Sequence, residues 1–358
     1  TIETANLMHI NPEHRVENTE PVMISHDVSE QVRAIADGYD LPLQIETIRS
    51  STMPVTTLKK ECKSCPFASE CFEEPEALII NIPRLNAAKL QPMIDANVQT
   101  MDQLEADEDL YNTLTAKQKE AVEDFLNPED GGIADITVDQ ELLTNYEWLD
   151  SQVLFHLDLE TSTTAIPQRT GEKPWAQSVT QFSVTIDDGE SLDEIGFLSD
   201  GSDDREQLVT AMIAAVEGDA PIVVYSASFE KGRIQELADA LPHHSEELTA
   251  ICDRMVDLLP VVRNCVSGLE RDSLKSIGPI ADSTFTYDDL QIQKGDMANA
   301  VMTLMRLEGG PEILHSKTGM DVDEARDALL AYCARDTLGT AVVVRFLKGF
   351  LTAQAPIE

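Results

Sequence analysis

The hydrophobic pattern changes near residue 150, and the regions on either side of it predict different structures. Over the first 60 residues the apolar positions follow no steady period, although Asn6–Ile10 has the pattern of a strand and Val28–Ala36 that of a short helix. After residue 150, alternating and fully apolar runs indicate strands mixed with helices. A chain of 358 residues with two such regions is expected to form two or three domains.

Short helices are predicted over residues 79–125. Three apolar residues have the spacing of one helical face: Leu90, Ile94 and Val98. A further helix over 115–125 begins at Thr115, whose side chain can form a capping box with Gln118. The segment 127–132, Asn-Pro-Glu-Asp-Gly-Gly, has the composition of a linker.

The second region predicts an α/β fold with a mixed sheet. Three strands with short, antiparallel connections are expected at 153–157, 182–186 and 195–198. They are followed by a helix at 205–217, a fully apolar strand at 221–225 and a helix from Phe229. The remainder is expected to be helical and to end in a long helix over 323–351.

Two acidic residues end the first of these strands and share one of its faces. The motif Asp-x-Glu begins at residues 139, 158, 188 and 204, and only the copy at 158 ends an apolar strand. Residues i and i+2 of a strand share a face, so Asp158 and Glu160 repel each other unless a cation lies between them. The other three copies lie in polar or turn-like sequence and are expected to be solvated.

Two further acids occupy comparable positions. Glu230 follows the apolar strand where a helix begins, at the edge where open α/β sheets bind ligands; an ordinary acid in a first helical turn is the alternative. Asp336 shares a helical face with Tyr332 and with apolar residues, so it turns towards the protein and needs a partner there. That partner is a metal ion, or else an arginine or a helix cap.

Four acids on three separate elements predict a site for two Mg²⁺ or Mn²⁺ ions. Carboxylate oxygens and water are the ligands that hard cations prefer. Two such ions about 4 Å apart can activate an attacking water and stabilise a leaving 3′ oxygen. We expect Tyr332 to orient or deprotonate that water. The predicted metal ligands are Asp158, Glu160, Glu230 and Asp336.

The order of these motifs resembles that of the DEDD exonucleases with a tyrosine in the third motif. The three motifs are Asp158-x-Glu160-Thr161, Ser226-Ala-Ser-Phe-Glu230 and Tyr332-x-x-x-Asp336. Further matching segments are Ala165–Pro167, Gln181–Ser183, Val223–Lys231, Asp257–Pro260, Ser273–Lys275, Tyr287–Leu290 and Tyr332–Thr337. With them the chain is similar to a prokaryotic family in which such a domain follows a Cas4-like, iron–sulfur, restriction-endonuclease-like nuclease domain.

The resemblance implies an RNase H-like 3′–5′ exonuclease domain over residues 150–352, acting on single-stranded DNA or RNA. It implies that 1–57 end an upstream nuclease-like domain, that 58–77 form a cysteine-cluster segment, and that 78–128 are a small helical region. That region resembles helix-hairpin-helix modules, with plain helical packing as the alternative. Most DEDD enzymes have aspartate in the second motif, whereas the extra methylene of Glu230 displaces its carboxylate by about 1.5 Å.

Three clustered cysteines have the C-x₂-C-x₅-C spacing of zinc or iron–sulfur ligands: Cys62, Cys65 and Cys71. The resemblance implies a 4Fe-4S cluster with its fourth cysteine upstream, and the first residue, Thr1, agrees with a fragment or a processed chain. Three incidental thiols are one alternative. Zinc is another, with a fourth ligand among His9, His14 and His26. The remaining cysteines lie among apolar residues, as expected for core thiols of a cytoplasmic protein: Cys252, Cys265 and Cys333.

The charge balance argues against nucleic-acid binding. The chain has 26 Lys and Arg against 65 Asp and Glu, a net charge of −39, whereas nucleic-acid enzymes gather positive charge. One explanation is a halophilic origin, since the Debye length falls to about 3 Å at 1 M salt. Bound metals with a local basic track are a second, and plain acidic solubility is a third. No apolar run approaches about 18 residues, so no membrane partner is expected.

Three functions follow from these patterns. The first is a metal-dependent exonuclease. The second is a module that grips nucleic acid or a partner without cutting, which the charge and Glu230 favour. The third is a scaffold with a structural metal at the cysteines. We expect nucleic acid as the main partner, and a partner nuclease or a helicase as the protein partner.

Overall fold

The chain forms two compact units, one from residues 1–29 with 134–358 and one from residues 30–133. The computed structural model describes residues 3–38, 40–50, 56–127, 136–269 and 271–352. The linker predicted over 127–132 therefore lies outside the described residues after Asn127. Within the described ranges, no helix is long and apolar enough to cross a membrane.

The unit of residues 30–133 consists mainly of short helices, which confirms the prediction for 79–125 and the short helix predicted at Val28–Ala36. They are α1 (Ser29–Gly38), α2 (Leu41–Arg49), α3 (Ala68–Cys71), α4 (Ala87–Asp95), α5 (Met101–Glu105), α6 (Glu108–Tyr111) and α7 (Ala116–Leu126). The capping box of α7 is confirmed, because Thr115 Oγ1 accepts from Gln118 N at 3.3 Å and Gln118 Oε1 from Thr115 N at 3.1 Å. The helical face of α4 was predicted one turn too long, since Asn97 adopts a left-handed φ of 58° and Val98 lies beyond the helix.

The other unit contains the predicted mixture of strands and helices. Its strands are β1 (Asn6–Ile10), β2 (Met23–Asp27), β3 (Thr137–Val138), β4 (Leu154–Thr163), β5 (Gln177–Asp187), β6 (Leu192–Leu198), β7 (Ile222–Val224), β8 (Met255–Asp257) and β9 (Val266–Ser267). Its helices are α8 (Gln140–Leu143), α9 (Arg205–Ala215), α10 (Ala227–Ala240), α11 (Ser245–Arg254), α12 (Leu258–Cys265), α13 (Leu274–Ala281), α14 (Gly295–Arg306), α15 (Gly310–Thr318) and α16 (Val322–Thr352).

A five-stranded mixed sheet organises this unit, in the order β6-β5-β4-β7-β8. Strands β4, β5 and β6 are antiparallel neighbours, as predicted, while β4, β7 and β8 run parallel. The prediction of helices alone after Phe229 is wrong at β8, which extends the sheet, and at β9, which pairs with β3. Strands of two or three residues are too short for a period to separate them from helix.

The two faces of the sheet differ in polarity. On one face, Phe155, Leu157 and Leu159 of β4 belong to an apolar core with Met212 of α9 and Ile234 of α10. Burial of side chains of this size contributes about 1.5–3 kcal/mol each. This apolar face supplies the packing that anchors β4.

Helix α16 covers the opposite face, which carries polar side chains beside an apolar cluster around Leu154 and Val223. His156 Nδ1 lies 3.1 Å from Thr340 Oγ1, and Thr337 accepts a hydrogen bond of 2.8 Å from a threonine of β5. Burial lowers the pKa of His156 to about 3, so its ring is neutral. Asp158 and Glu160 continue the row of His156 along β4, and the sheet therefore directs both acids towards α16.

Close approach of α16 and α13 at Gly339 provides a test of this packing. A Cβ at Gly339 would lie 2.7 Å from Phe285 Cζ and 3.1 Å from Leu274 Cδ2. We expect Gly339→Ala to lower the free energy of unfolding by about 1–3 kcal/mol in urea titrations, because overpacking outweighs the gain in helix propensity. At the exposed Gly349 of the same helix, a Cβ meets nothing within 4 Å, so Gly349→Ala should not destabilise. Equal effects of the two changes would contradict the packing.

Candidate active site

Strand β4 carries Asp158 and Glu160 at the point where its pairing becomes irregular. The register with β5 shifts between Glu160 and Thr161, which leaves Thr180 as an extra residue on β5. Thr180 Oγ1 donates to the carbonyl oxygen of Glu160 at 3.4 Å. Bulges of this kind redirect side chains and are common beside active sites. The bulge here immediately follows the pair of acids.

Helix α16 brings a third acid to this pair. The carboxylate oxygens of Asp158, Glu160 and Asp336 include three that all lie within 4.8 Å of one another. Cys333, one turn before Asp336, donates from Sγ to Asp158 Oδ2 at 3.4 Å. The structure therefore brings together three of the four predicted metal ligands, from residues almost 180 positions apart in the sequence.

The fourth acid, Glu230, is held by a turn that depends on Asp257. Ser226, between β7 and α10, has a left-handed φ of 80°. Asp257, the last residue of β8, accepts hydrogen bonds of 2.9 Å from the backbone N–H groups of Ser226 and Ala227. Glu230 is only 4% exposed, and its Oε2 has no hydrogen-bond partner among the described residues. A buried carboxylate oxygen without a partner is costly, and a cation would satisfy it.

The four acids line one open pocket of about 540 Å³. We call it the carboxylate pocket, and its walls include Asp158, Glu160, Gln177, Phe229, Glu230, Asn299, Tyr332 and Asp336. Because His156 pairs with Val223 in the parallel register, Asp158 lies just beyond the last residue of β7. The pocket is therefore at the carboxyl edge of the parallel strands, where open α/β sheets bind ligands.

Burial raises the pKa values of the four acids in this pocket, and repulsion between them adds to the rise at Asp158 and Glu160. Burial is the largest cause for each of them, and Asp336, Glu160 and Glu230 add to it at Asp158. The pKa of Glu160 rises to about 8 and that of Glu230 to about 7. Among the described residues, no arginine or lysine forms an ion pair with any of the four.

These features fit a divalent cation. Asp336 is inside a helix and is not paired with an arginine, so both alternatives to a metal partner lack support among the described contacts. A cation between the acids would favour their charged forms and reverse the upward pKa shifts. Because the donor set consists of carboxylate oxygens, Mg²⁺ or Mn²⁺ suits it better than zinc or copper.

Tyr287 and Lys275, which contact residues of the pocket wall, had no role predicted from the sequence. The Tyr287 hydroxyl donates to Asp336 Oδ1 at 2.5 Å. Lys275 Nζ lies 4.7 Å from the ring centre of Tyr287 and 5.3 Å from that of Tyr332. Its charge opposes the rise that burial causes in the pKa values of Glu160 and Asp336. Both residues lie in segments that carried the resemblance, but spacing alone could not assign contacts over such separations.

Without bound cations, the Tyr332 hydroxyl is neutral and can donate a hydrogen bond. Burial, together with Asp336, Glu160 and Asp158, raises its pKa above the ordinary value of 10.0. Its hydroxyl is within hydrogen-bonding reach of Asp336. Orienting or deprotonating a water molecule stays a prediction for Tyr332, and the second role requires bound cations that lower this pKa.

The other Asp-x-Glu copies support the fold instead. Asp139 caps α8, and Asp188 lies in an exposed turn, in line with the prediction. The prediction of solvation is wrong for Asp204, which is buried and pairs with Arg169 at 3.4 Å. The polarity of the neighbouring sequence cannot distinguish a surface acid from one that is buried with an arginine far away in the sequence.

The three clustered cysteines lie close in sequence but do not form a compact group. Cys62 is in a 3₁₀ turn, Cys65 follows that turn, and Cys71 ends α3. Cys62 Sγ accepts a hydrogen bond from Lys59 N at 3.4 Å. The three sulfur atoms do not all lie within 4.8 Å of one another, unlike the ligand atoms of Asp158, Glu160 and Asp336. Zinc or iron–sulfur binding stays a prediction, and it requires this segment to draw closer around the ion.

The histidines proposed as a fourth ligand already have local contacts. The rings of His9 and His26 stack with their centres 5.0 Å apart, and His14 Nδ1 lies 2.8 Å from the carbonyl oxygen of Glu20. The three remaining cysteines are partly or fully buried, as expected for core thiols: Cys252, Cys265 and Cys333.

Comparisons with known proteins reach part of this unit. A family described as "Domain of unknown function (DUF2779)" matches residues 155–272, which include Asp158, Glu160 and Glu230 but not Asp336. The "Uncharacterized protein MG366 homolog" of Mycoplasma pneumoniae is 26% identical over an alignment of 223 residues that covers 56% of this chain and 32% of that protein. The "Uncharacterized protein MG366" of Mycoplasma genitalium is 26% identical over 220 residues, 55% of this chain and 32% of that protein.

The chain thus matches about a third of the length of these two relatives. No solved structure matches it.

The repelling acids predict that the metal-free protein loses stability between pH 6.5 and 8. With the pKa of Glu160 raised from 4.5 to about 8, the folded state keeps a proton that the unfolded state has released. Stability then falls by about 1.4 kcal/mol per pH unit for one such group, or about 2 kcal/mol over this range. The lowered pKa of His156 acts in the opposite direction, and only below pH 6.5.

Unfolding by urea in EDTA at the two pH values measures this loss. Asp336→Asn should flatten the dependence because it removes the acid that repels Glu160 most strongly, and saturating Mn²⁺ should abolish it. Asp188→Asn, at an exposed acid, should leave the dependence as it is. A metal-free stability that is constant or rises over this range would contradict the electrostatic account.

Proposed function

We propose that the unit containing β4 to α16 is a metal-dependent 3′–5′ exonuclease that hydrolyses phosphodiester bonds of single-stranded DNA or RNA. The observation that carries the proposal is the convergence of Asp158, Glu160 and Asp336 within 4.8 Å, with Glu230 in the same pocket. Buried carboxylates gathered in this way, with no ion pair to an arginine or lysine among the described residues, suit a pair of divalent cations.

The order of elements supports an RNase H-like fold for this unit. Three successive antiparallel strands, β4 to β6, are followed by α9, by β7 parallel to β4, and then by helices and the fifth strand, β8. Up to β7 and α10 this is the order expected from the sequence, and the resemblance to DEDD exonucleases links that order to the RNase H-like fold. Helix α16 then carries the third motif back across the sheet to the first motif on β4.

Bound at the four acids, two Mg²⁺ or Mn²⁺ ions would supply an activated water and charge stabilisation for the leaving 3′ oxygen. The residues of the chain provide the positioning. Tyr287 fixes Asp336 through its hydroxyl, and Tyr332 is placed to orient the water. A volume of about 540 Å³ is in the range of pockets that bind one small ligand, which fits the terminal nucleotide of a strand.

The net charge of −39 argues against nucleic-acid binding, and a local basic track was one explanation of how a strand would still bind. Two cationic side chains near the pocket favour that explanation. Arg233, one turn after Glu230, donates to the side chain of Gln177 in the pocket wall. Lys275 lies beside the rings of Tyr287 and Tyr332. Arg233 also pairs with Glu236 at 2.7 Å, so its contact with a phosphate of an incoming strand would replace that ion pair.

Hydrolysis of end-labelled strands tests the activity. Single-stranded DNA and RNA, labelled at the 5′ or the 3′ end, would be incubated with the protein and Mn²⁺. We expect a 5′-labelled strand to shorten stepwise and a 3′-labelled strand to release its terminal nucleotide. Asp158→Asn and Asp336→Asn should each lower the rate by on the order of 100-fold or more, because they remove charge that the metals require.

Asp188→Asn is the matched control, since Asp188 belongs to an Asp-x-Glu copy in an exposed turn. It should retain full activity. Strands that stay intact with every protein, or that are degraded equally by Asp158→Asn and Asp188→Asn, would refute the assignment.

The role of Glu230 is tested by two substitutions that separate ligation from a first-turn acid. As a ligand, Glu230 needs its charge, so Glu230→Gln should weaken Mn²⁺ binding by at least about tenfold. Glu230→Asp keeps the charge and should bind Mn²⁺ more tightly than Glu230→Gln. Free Mn²⁺ measured by electron paramagnetic resonance during titration gives the affinities. An ordinary first-turn acid has no part in metal binding, so wild-type affinity in Glu230→Gln would remove Glu230 from the ligand set.

A binding module that does not cut is the second candidate, favoured by one observation. Glu230 lines the pocket but is outside the group of acids within 4.8 Å, and it stands where aspartate is usual. The same Mn²⁺ titration separates the two candidates. An active enzyme should bind two ions per chain at this pocket, whereas a binding module would retain nucleic-acid affinity without degrading the strand.

A further inference from the structure

A second cluster of metal-binding side chains lies outside the carboxylate pocket. Glu206 is in the first turn of α9, while His243 and His244 form the 3₁₀ turn between α10 and α11. One ligand atom from each of the three lies within 4.8 Å of the others. None of them lines the carboxylate pocket, and none belongs to the motifs that predicted it.

Both imidazoles direct the same nitrogen at one carboxylate. His243 Nε2 is 3.0 Å from Glu206 Oε2, and His244 Nε2 is 2.9 Å from Glu206 Oε1. The ring centres are 4.4 Å apart with the planes tilted by 43°. Around a tetrahedral zinc ion with bonds of about 2.0–2.1 Å, neighbouring ligand atoms are about 3.3 Å apart. Small outward movements of the side chains would therefore admit an ion.

The backbone on both sides of the cluster is anchored. His244 N donates to the carbonyl oxygen of Leu241 at 2.9 Å, and Leu241 packs against the apolar core of the sheet. On the other side, Asp204 accepts from Leu208 N through its carbonyl at 3.0 Å and is itself buried against Arg169. Ligands on two anchored elements lose little freedom when an ion binds.

We propose that Glu206, His243 and His244 bind a Zn²⁺-type divalent ion, with a fourth position open to water or to an external ligand. Two imidazoles with one carboxylate and an open position are a ligand set that zinc uses in proteins. Mg²⁺ would not compete, because it prefers oxygen ligands. The ion would connect α9 to the turn that follows α10, the helix that carries Glu230.

The first experiment counts Zn²⁺ in a chain whose other metal-binding candidates are removed. Its background carries Asp158→Asn, Asp336→Asn, Cys65→Ser and Cys71→Ser. Calorimetric titration should give one ion per chain, and Zn²⁺ at 100 times Kd should raise Tm by about 5 °C.

Removal of a ligand should abolish this binding. His243→Ala or His244→Ala in the same background should weaken it by more than about 100-fold, since loss of a partner beyond the ligands already costs about 10–100-fold. The matched control is His315→Ala, at an exposed histidine of α15, which should change neither affinity nor the Tm shift. Unchanged Zn²⁺ binding in His243→Ala and His244→Ala, or none in the background chain, would overturn the proposal.

A second measurement uses the unaltered chain, so it does not depend on the folding of any variant. Two-dimensional ¹H–¹⁵N spectra of the histidine rings should show Zn²⁺ shifting Nε2 of His243 and His244, with His315 unmoved. Mg²⁺ should shift none of them. Rings that stay unchanged at saturating Zn²⁺ would leave two hydrogen bonds to Glu206 as the whole role of this cluster.

Discussion

Repulsion between Asp158, Glu160 and Asp336 is the main destabilising interaction on the face of the sheet that α16 covers. Three carboxylates within 4.8 Å, all partly buried, cannot all ionise without a compensating charge. The structure opposes the repulsion only in part, through hydrogen bonds from Tyr287 and Cys333. Side chains that lower the stability of the fold in this way are common at functional sites.

The rest of the unit can be understood as support for that arrangement. The apolar face of the sheet anchors β4, so the acids on its other face keep their direction. The bulge after Glu160 and the left-handed turn at Ser226 place acids from two elements beside one pocket. Asp257 is central to this support, since its carboxylate holds the turn that leads to Glu230.

Local periods in the sequence were sufficient for part of this site. Strand alternation placed Asp158 and Glu160 on one face, and helical spacing turned Asp336 towards the protein. Local periods could not predict contacts between distant segments. Tyr287 and Asp336 are 49 positions apart, and Asp204 is buried beside an arginine 35 positions away. The three residues of β8 have no period of their own, so the fifth strand was missed.

Crystals soaked in Mn²⁺ test the central claim most directly, because anomalous scattering locates the ion without assuming any activity. The account predicts a manganese peak coordinated by carboxylate oxygens of Asp158 and Asp336, with Glu160 within reach of the same site. A pocket without a peak at saturating Mn²⁺, with protonated carboxyl groups bonded to one another instead, would contradict it.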